Sequence, residues 1–146
     1  MALTAIILGM VFVLFSIVSD RMIDYKYQNQ LVNDLNRLSY SFNKDIFDNK
    51  NMKIIDNEIL FTGYTNDSIK YNYERDYILR NKGIFIDTFK IQLNKLTIDT
   101  LQNKSKTIVF QKLRLNVEVN NRELDLKFYK QVFVNELLQK MNKNEF

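Results

Sequence analysis

Between Met10 and Thr62 nothing in the chain stops a helix. The three glycines lie at positions 9, 63 and 83, and there is no proline anywhere. The run Met1–Ser19, MALTAIILGMVFVLFSIVS, carries no charged side chain and is followed at once by Asp20 and Arg21. Wound as a helix, it is roughly 28 Å long, close to the ~30 Å hydrocarbon core of a bilayer. Beyond it the apolar residues Ile23, Tyr27, Leu31, Leu35, Leu38, Phe42 and Ile46 recur at spacings of four and three, the period of one helix face. The pattern predicts a single helix of roughly 45–50 residues, about 70 Å, apolar all round at first and amphipathic afterwards. Residues 20–146 cannot bury such a rod, so half of it is expected in a bilayer or in a bundle of partner helices.

Three readings of the first run compete. A cleaved secretory signal has a basic start, a shorter apolar stretch and small residues before the cut. Here no lysine or arginine precedes the run, and Ser16-Ile17-Val18-Ser19 places a large residue inside the small-residue pattern. A buried core helix would show a polar face. A retained anchor fits best, because the helical pattern continues past Ser19. The charges that follow, Asp20, Arg21, Asp24 and Lys26, cancel and do not fix orientation.

After Asn51 the period changes to two. Strands are expected at Ile59–Thr62, Ile69–Tyr73 and Tyr77–Arg80, with turns at Glu74–Asp76 and Asn81–Gly83. Gly83–Ile91 and Leu96–Ile98 read as further strands, and Gln102–Lys106 as a loop. In Leu113–Val119 and Leu124–Phe128 apolar and polar residues alternate around Asn120–Glu123, the pattern of a hairpin with one wet face. Phe133, Leu137 and Met141 give Gln131–Asn144 a helical spacing, though Gln131–Val134 also reads as a strand. The expected fold class is α+β. The helix comprises an apolar part, 1–19, and an amphipathic part, 20–50, and residues 51–146 form an antiparallel sheet of five to seven strands. Leu31, Leu35, Leu38, Phe42 and Ile46 are the face expected to cover the sheet.

The chemical inventory is thin. With neither histidine nor cysteine, the chain lacks disulfides, zinc-thiolate sites and the usual nucleophile–base pairs. No metal or cofactor is expected. Asp45, Asp48, Asp56 and Glu58 do not follow a calcium-loop spacing and read as a solvated turn. The acidic and basic residues of 20–50 balance, so the net charge of +4 arises in residues 51–146, where the basic residues are interspersed. A nucleic-acid surface would gather them into a stripe, so a nucleic-acid partner is not expected. The eight tyrosines and eleven phenylalanines mostly fall on alternating positions, as core residues do.

Three passages resemble the type IV pilin-like proteins, and among them the J-type minor pseudopilins of type II secretion. Met1-Ala-Leu-Thr-Ala-Ile-Ile-Leu8 is similar to the stretch just after the pilin signature. Leu31–Asp45, with leucines at helical spacing leading to Lys44-Asp45, resembles the J-type helix end. Ile69-Lys-Tyr71, a turn and Leu79-Arg80 resemble that family's hairpin. The signature itself, with its leader and acidic residue, has no counterpart here and is expected upstream of Met1. The resemblance implies a pilin-like fold and a non-catalytic subunit, single-pass in a bacterial inner membrane with its domain in the periplasm. Its implied partners are other pilin-like subunits, major and minor, membrane lipid and secreted cargo, in a filament near whose tip it sits. Ala2, Ala5, Gly9 and Ser16 are the candidate close-approach positions of its helix; Ala5 and Gly9 have small-xxx-small spacing. The competing reading is an unrelated single-pass anchored binding domain of the cell envelope.

Overall fold

The computed structural model describes residues 2–65, 67–105 and 108–133. Its first element, α1, is one α-helix, Ala2–Asp48. Contacts divide the chain into two units between Asn33 and Asp34. In the first unit every described residue before Leu31 is exposed. In the second, residues 34–48 of the helix pack with antiparallel sheet, so the fold is α+β.

Eight strands are described, arranged in two sheets where the sequence predicts one. The first sheet has the order β1 (Asn51–Ile55), β2 (Glu58–Thr62), β3 (Ser68–Tyr73), β4 (Ile78–Lys82) and β5 (Phe85–Phe89). The second comprises β6 (Gln92–Gln102), β7 (Ile108–Val119) and β8 (Arg122–Phe133). Every pairing is antiparallel between neighbours in sequence. Tight turns set the registers. Asp56-Asn57 and Asn120-Asn121 all take positive φ, the backbone of a type I′ turn. Gly83, at φ 60, opens the β4–β5 turn, and Ile84 follows it with ordinary φ, as in type II′.

Several boundaries differ from the sequence reading. Asn51–Ile55 is a strand, although only Met52 of it is buried and its alternation is weak. Asn81 and Lys82 belong to β4, because Gly83 confines the turn to two residues. β6 reaches far beyond Leu96–Ile98 because it pairs along the length of β7, with a bulge between Leu93 and Lys95. Of the two readings of Gln131–Val134 the strand holds for Gln131–Phe133, through its pairing to Ile108–Phe110. Leu137, Met141 and the rest of the expected tail helix lie outside the described residues.

The core of the second unit lies between α1 and the sheets. Leu38 and Phe42 of α1 are buried, as are Met52, Ile59, Phe61, Ile69, Tyr71 and Ile78 of the first sheet and Leu113, Leu115 and Phe128 of the second. Phe42 is the hub. Its ring stacks on Tyr71 at 4.2 Å and meets Phe128 at 5.1 Å and Phe61 at 6.2 Å. Such aromatic contacts each add about 0.5–1.5 kcal/mol beyond burial.

Candidate functional site: an apolar helix and a buried polar clamp

The residues expected to matter occupy two places. Ala2, Ala5, Gly9 and Ser16 all lie in the exposed part of α1. At about 100° per residue they share one narrow arc of that helix. A Cβ placed on Gly9 would meet nothing within 4 Å, so no close approach is made there within the chain. The surrounding large side chains, among them Phe12 at 78 % and Phe15 at 73 % exposure, are uncovered too. An 18-residue window here is wholly unburied and strongly apolar, so α1 is long and apolar enough to cross a membrane, and this part of it lies outside the core. Ile23 and Tyr27, which share the heptad-like pattern, are also exposed.

Of the expected sheet-covering face, Leu31, Leu38, Phe42 and Ile46 are buried and Leu35 is half-buried. The periodicity missed the polar residues interleaved with them. Leu31, Asp34, Leu38, Phe42 and Asp45 are spaced three, four, four and three, which also makes one helix row. Asp34 and Asp45 are both buried. Asp45 is thus no part of a solvated turn, as its spacing with Asp48 and Asp56 suggested.

Asp45 is the centre of a clamp between the end of α1 and the first sheet. Its two carboxylate oxygens accept hydrogen bonds from Arg80 Nη2 and Nε, each at 2.7 Å, a bidentate pair. The Tyr71 hydroxyl donates to Oδ2 at 2.6 Å. Tyr71 and Arg80 are cross-strand partners in β3 and β4, and Asp87 of β5 continues the row. Arg80 Nη1 donates to Asp87 Oδ2 at 3.1 Å, so two carboxylates share one guanidinium. Asp45 is buried and Arg80 nearly so, which makes the pair hard to break without stranding a charge. Burial drives the Tyr71 hydroxyl far above the usual phenol range, and its bond to Asp45 pushes the same way. The bond to Asp45 raises Arg80 above the ordinary guanidinium range, against the opposing effect of burial.

Two further contacts fix the same segment. Asp34 Oδ2 accepts the Lys90 backbone N–H at 3.0 Å, while Oδ1 accepts from Arg37, whose guanidinium lies 5.1 Å from the centre of the Phe89 ring. At the other end, the last turn of α1 contains no basic residue. Lys130 of β8 supplies one: its buried ammonium donates to the carbonyls of Ile46 at 2.8 Å and Asn49 at 2.5 Å. A cation there satisfies orphan carbonyls and opposes the negative end of the helix dipole.

Comparison with protein-family models, with curated proteins and with solved structures finds no match. What distinguishes the chain is therefore its own geometry. The motif residues quoted from three separate passages divide accordingly: Asp45, Tyr71 and Arg80 meet in one cluster, while the opening run stands apart. Among the described residues no group of three or more acidic side chains could hold a metal ion. An open cleft of about 980 Å³ is lined among others by Asn49, Tyr64, Asp67, Lys82 and Phe85.

Proposed function

We propose that this protein is a non-catalytic minor pilin or pseudopilin subunit. Its apolar helix holds it in a bacterial inner membrane, with the sheet domain in the periplasm. From there it assembles, helix against helix, with other pilin-like subunits in a type II secretion pseudopilus or a related filament, near the tip. The observation that carries this reading is the continuity of α1. One helix is apolar and wholly exposed over its first part, and is built by stacking, clamping and capping into a folded domain over its last. A tether needs only length and hydropathy; a flexible linker would serve it. A helix carried unbroken into the domain transmits position, as a packed filament requires. The union of Asp45, Tyr71 and Arg80 supports the reading further, because all three lie in the passages that carry the resemblance.

Apolar helices in lipid associate through close packing, and small residues permit it. Because the chain has no cysteine, single cysteines can be introduced cleanly at Ala5 and Gly9. In cells carrying the neighbouring pilin-like subunits, each with a cysteine at the matching position, the protein is expected in the inner-membrane fraction and in cross-linked species with those subunits. A protein that stays monomeric under these conditions would instead be the anchored binding domain, a reading favoured by the open cleft beside Tyr64.

A further inference from the structure

The free edge of the first sheet is unlike the others. β5, Phe-Ile-Asp-Thr-Phe, contains no lysine or proline and pairs with β4 without a bulge. The remaining edges discourage pairing with basic side chains and a bulge: Lys53 in β1, Lys95 and a bulge in β6, Arg122 and Lys127 in β8; β5 has only the acidic Asp87. Its first part and the turn before it are uncovered, with Ile84 90 %, Phe85 70 % and Ile86 66 % exposed, while Phe89 at its end is buried.

The backbone of that edge is open as well. Lys82 and Phe85 close a two-residue hairpin, so they form the hydrogen-bonded pair, and Asp87 and Phe89 follow the same alternation toward β4. The N–H and C=O groups of Ile86 and Thr88 then point away from the sheet. Neither finds a backbone partner among the described residues.

Asp87 decides what can pair there. It lies on the buried-side row Ile59–Tyr71–Arg80–Asp87, at the last position before the open edge. Its side chain is still 44 % exposed, and the guanidinium it touches is already claimed by Asp45. The row therefore ends in an excess negative charge. A second copy of β5 added antiparallel about its centre would set Asp87 against Asp87, which like-charge repulsion opposes. A strand with a cation at that position would complete the row.

We propose that β5 is a docking edge for an extended segment of a different protein, one with a lysine or arginine opposite Asp87 and apolar residues beside Phe85 and Ile86. Main-chain bonds to Ile86 and Thr88 supply the attachment and Asp87 the selectivity. The surface belongs to residues 84–88 and does not depend on how the N-terminal helix assembles.

The test is selection from a displayed library of random short peptides against the full chain in detergent micelles. Enriched peptides are expected to combine one Lys or Arg with flanking apolar residues. Against an Asp87→Lys bait the preference should reverse to Asp or Glu at the same position. A synthetic peptide from the first pool should lose about tenfold in affinity when its basic residue becomes Glu. Thr88→Pro removes an N–H that faces away from β4, a substitution that edge strands tolerate, and should abolish capture while circular dichroism stays unchanged. Should that variant unfold, the charge reversal decides by itself. The absence of an enriched class, or an enrichment indifferent to Asp87→Lys, overturns the proposal. So does a bait that captures only its own chain.

Discussion

The two ends of α1 obey the same local rules and meet opposite fates. Residues 2–19 and 34–48 are both helix, with Gly9 the single glycine between them and no proline. In the first, Phe12 and Phe15 stand exposed; in the second, Phe42 is completely buried against three aromatic rings. The first contains no charge to satisfy. The second buries two carboxylates and answers each with named donors, Asp45 from the first sheet and Asp34 from the Lys90 backbone after β5. An apolar surface without polar punctuation can be covered by lipid or by any similar helix. A surface punctuated by Asp34 and Asp45 fits only the partner that supplies the donors. The difference teaches that generic burial and specific burial can be written into one uninterrupted helix.

The contrast can be broken most severely at the clamp. Arg80→Ala leaves Asp45 buried and unpaired, and should cost about 3–5 kcal/mol of domain stability by denaturant titration. Replacing both partners together, Asp45→Leu with Arg80→Met, should recover most of that loss. If the double variant is no more stable than Arg80→Ala, the desolvation account is wrong. Phe42→Ala should also cost about 3–5 kcal/mol, whereas Phe12→Ala should leave the domain within about 0.5 kcal/mol of the parent. Equal losses from the two would erase the distinction between the halves.

Membrane partition sharpens the other side. A lysine at Leu14 should penalise insertion by about 2.5–3.5 kcal/mol, shifting the chain out of the membrane fraction while the unfolding midpoint of the domain stays put. Next in size is Tyr71→Phe, which removes one donor to a buried carboxylate and should cost about 1.5–3 kcal/mol. It also changes the pH profile. Because the folded state raises the Tyr71 pKa, its contribution is intact below the unfolded value of about 10 and is lost as pH climbs above that. Tyr73, raised by burial and by Glu58, acts in the same direction. Stability should therefore fall above about pH 10, and the fall should be shallower in Tyr71→Phe. The smallest effect is expected from Gly9→Leu. With open space around Gly9, domain stability should not move, and under the proposed assembly the loss should appear only in cross-linking to other pilin-like subunits.

Much of this architecture was legible before the fold was known. The helix followed from its period and the lack of breakers. The hairpin Leu113–Phe128 followed from strict alternation, with Asn120-Asn121 supplying the turn. The clamp was only half legible. Asp45, Tyr71 and Arg80 were each singled out by resemblance, yet their spacing says nothing of a bidentate pair, since the partners lie 35 residues apart. Lys130 gave no signal at all. Its role depends on a helix end 84 residues away, and no local pattern reports an orphan carbonyl so distant.

By itself the sequence determined the long helix, the antiparallel strands and the uncharged run that no water-facing surface requires, because each is a matter of neighbours within a few residues. Tertiary structure decided that the strands divide into two sheets, that Asp34 and Asp45 go inside, and that β5 is an edge strand among the described residues. Those outcomes depend on which distant donor reaches which acceptor. Hydrophobic periodicity records how much of a side chain is buried, but not the partner that makes burying a charge tolerable.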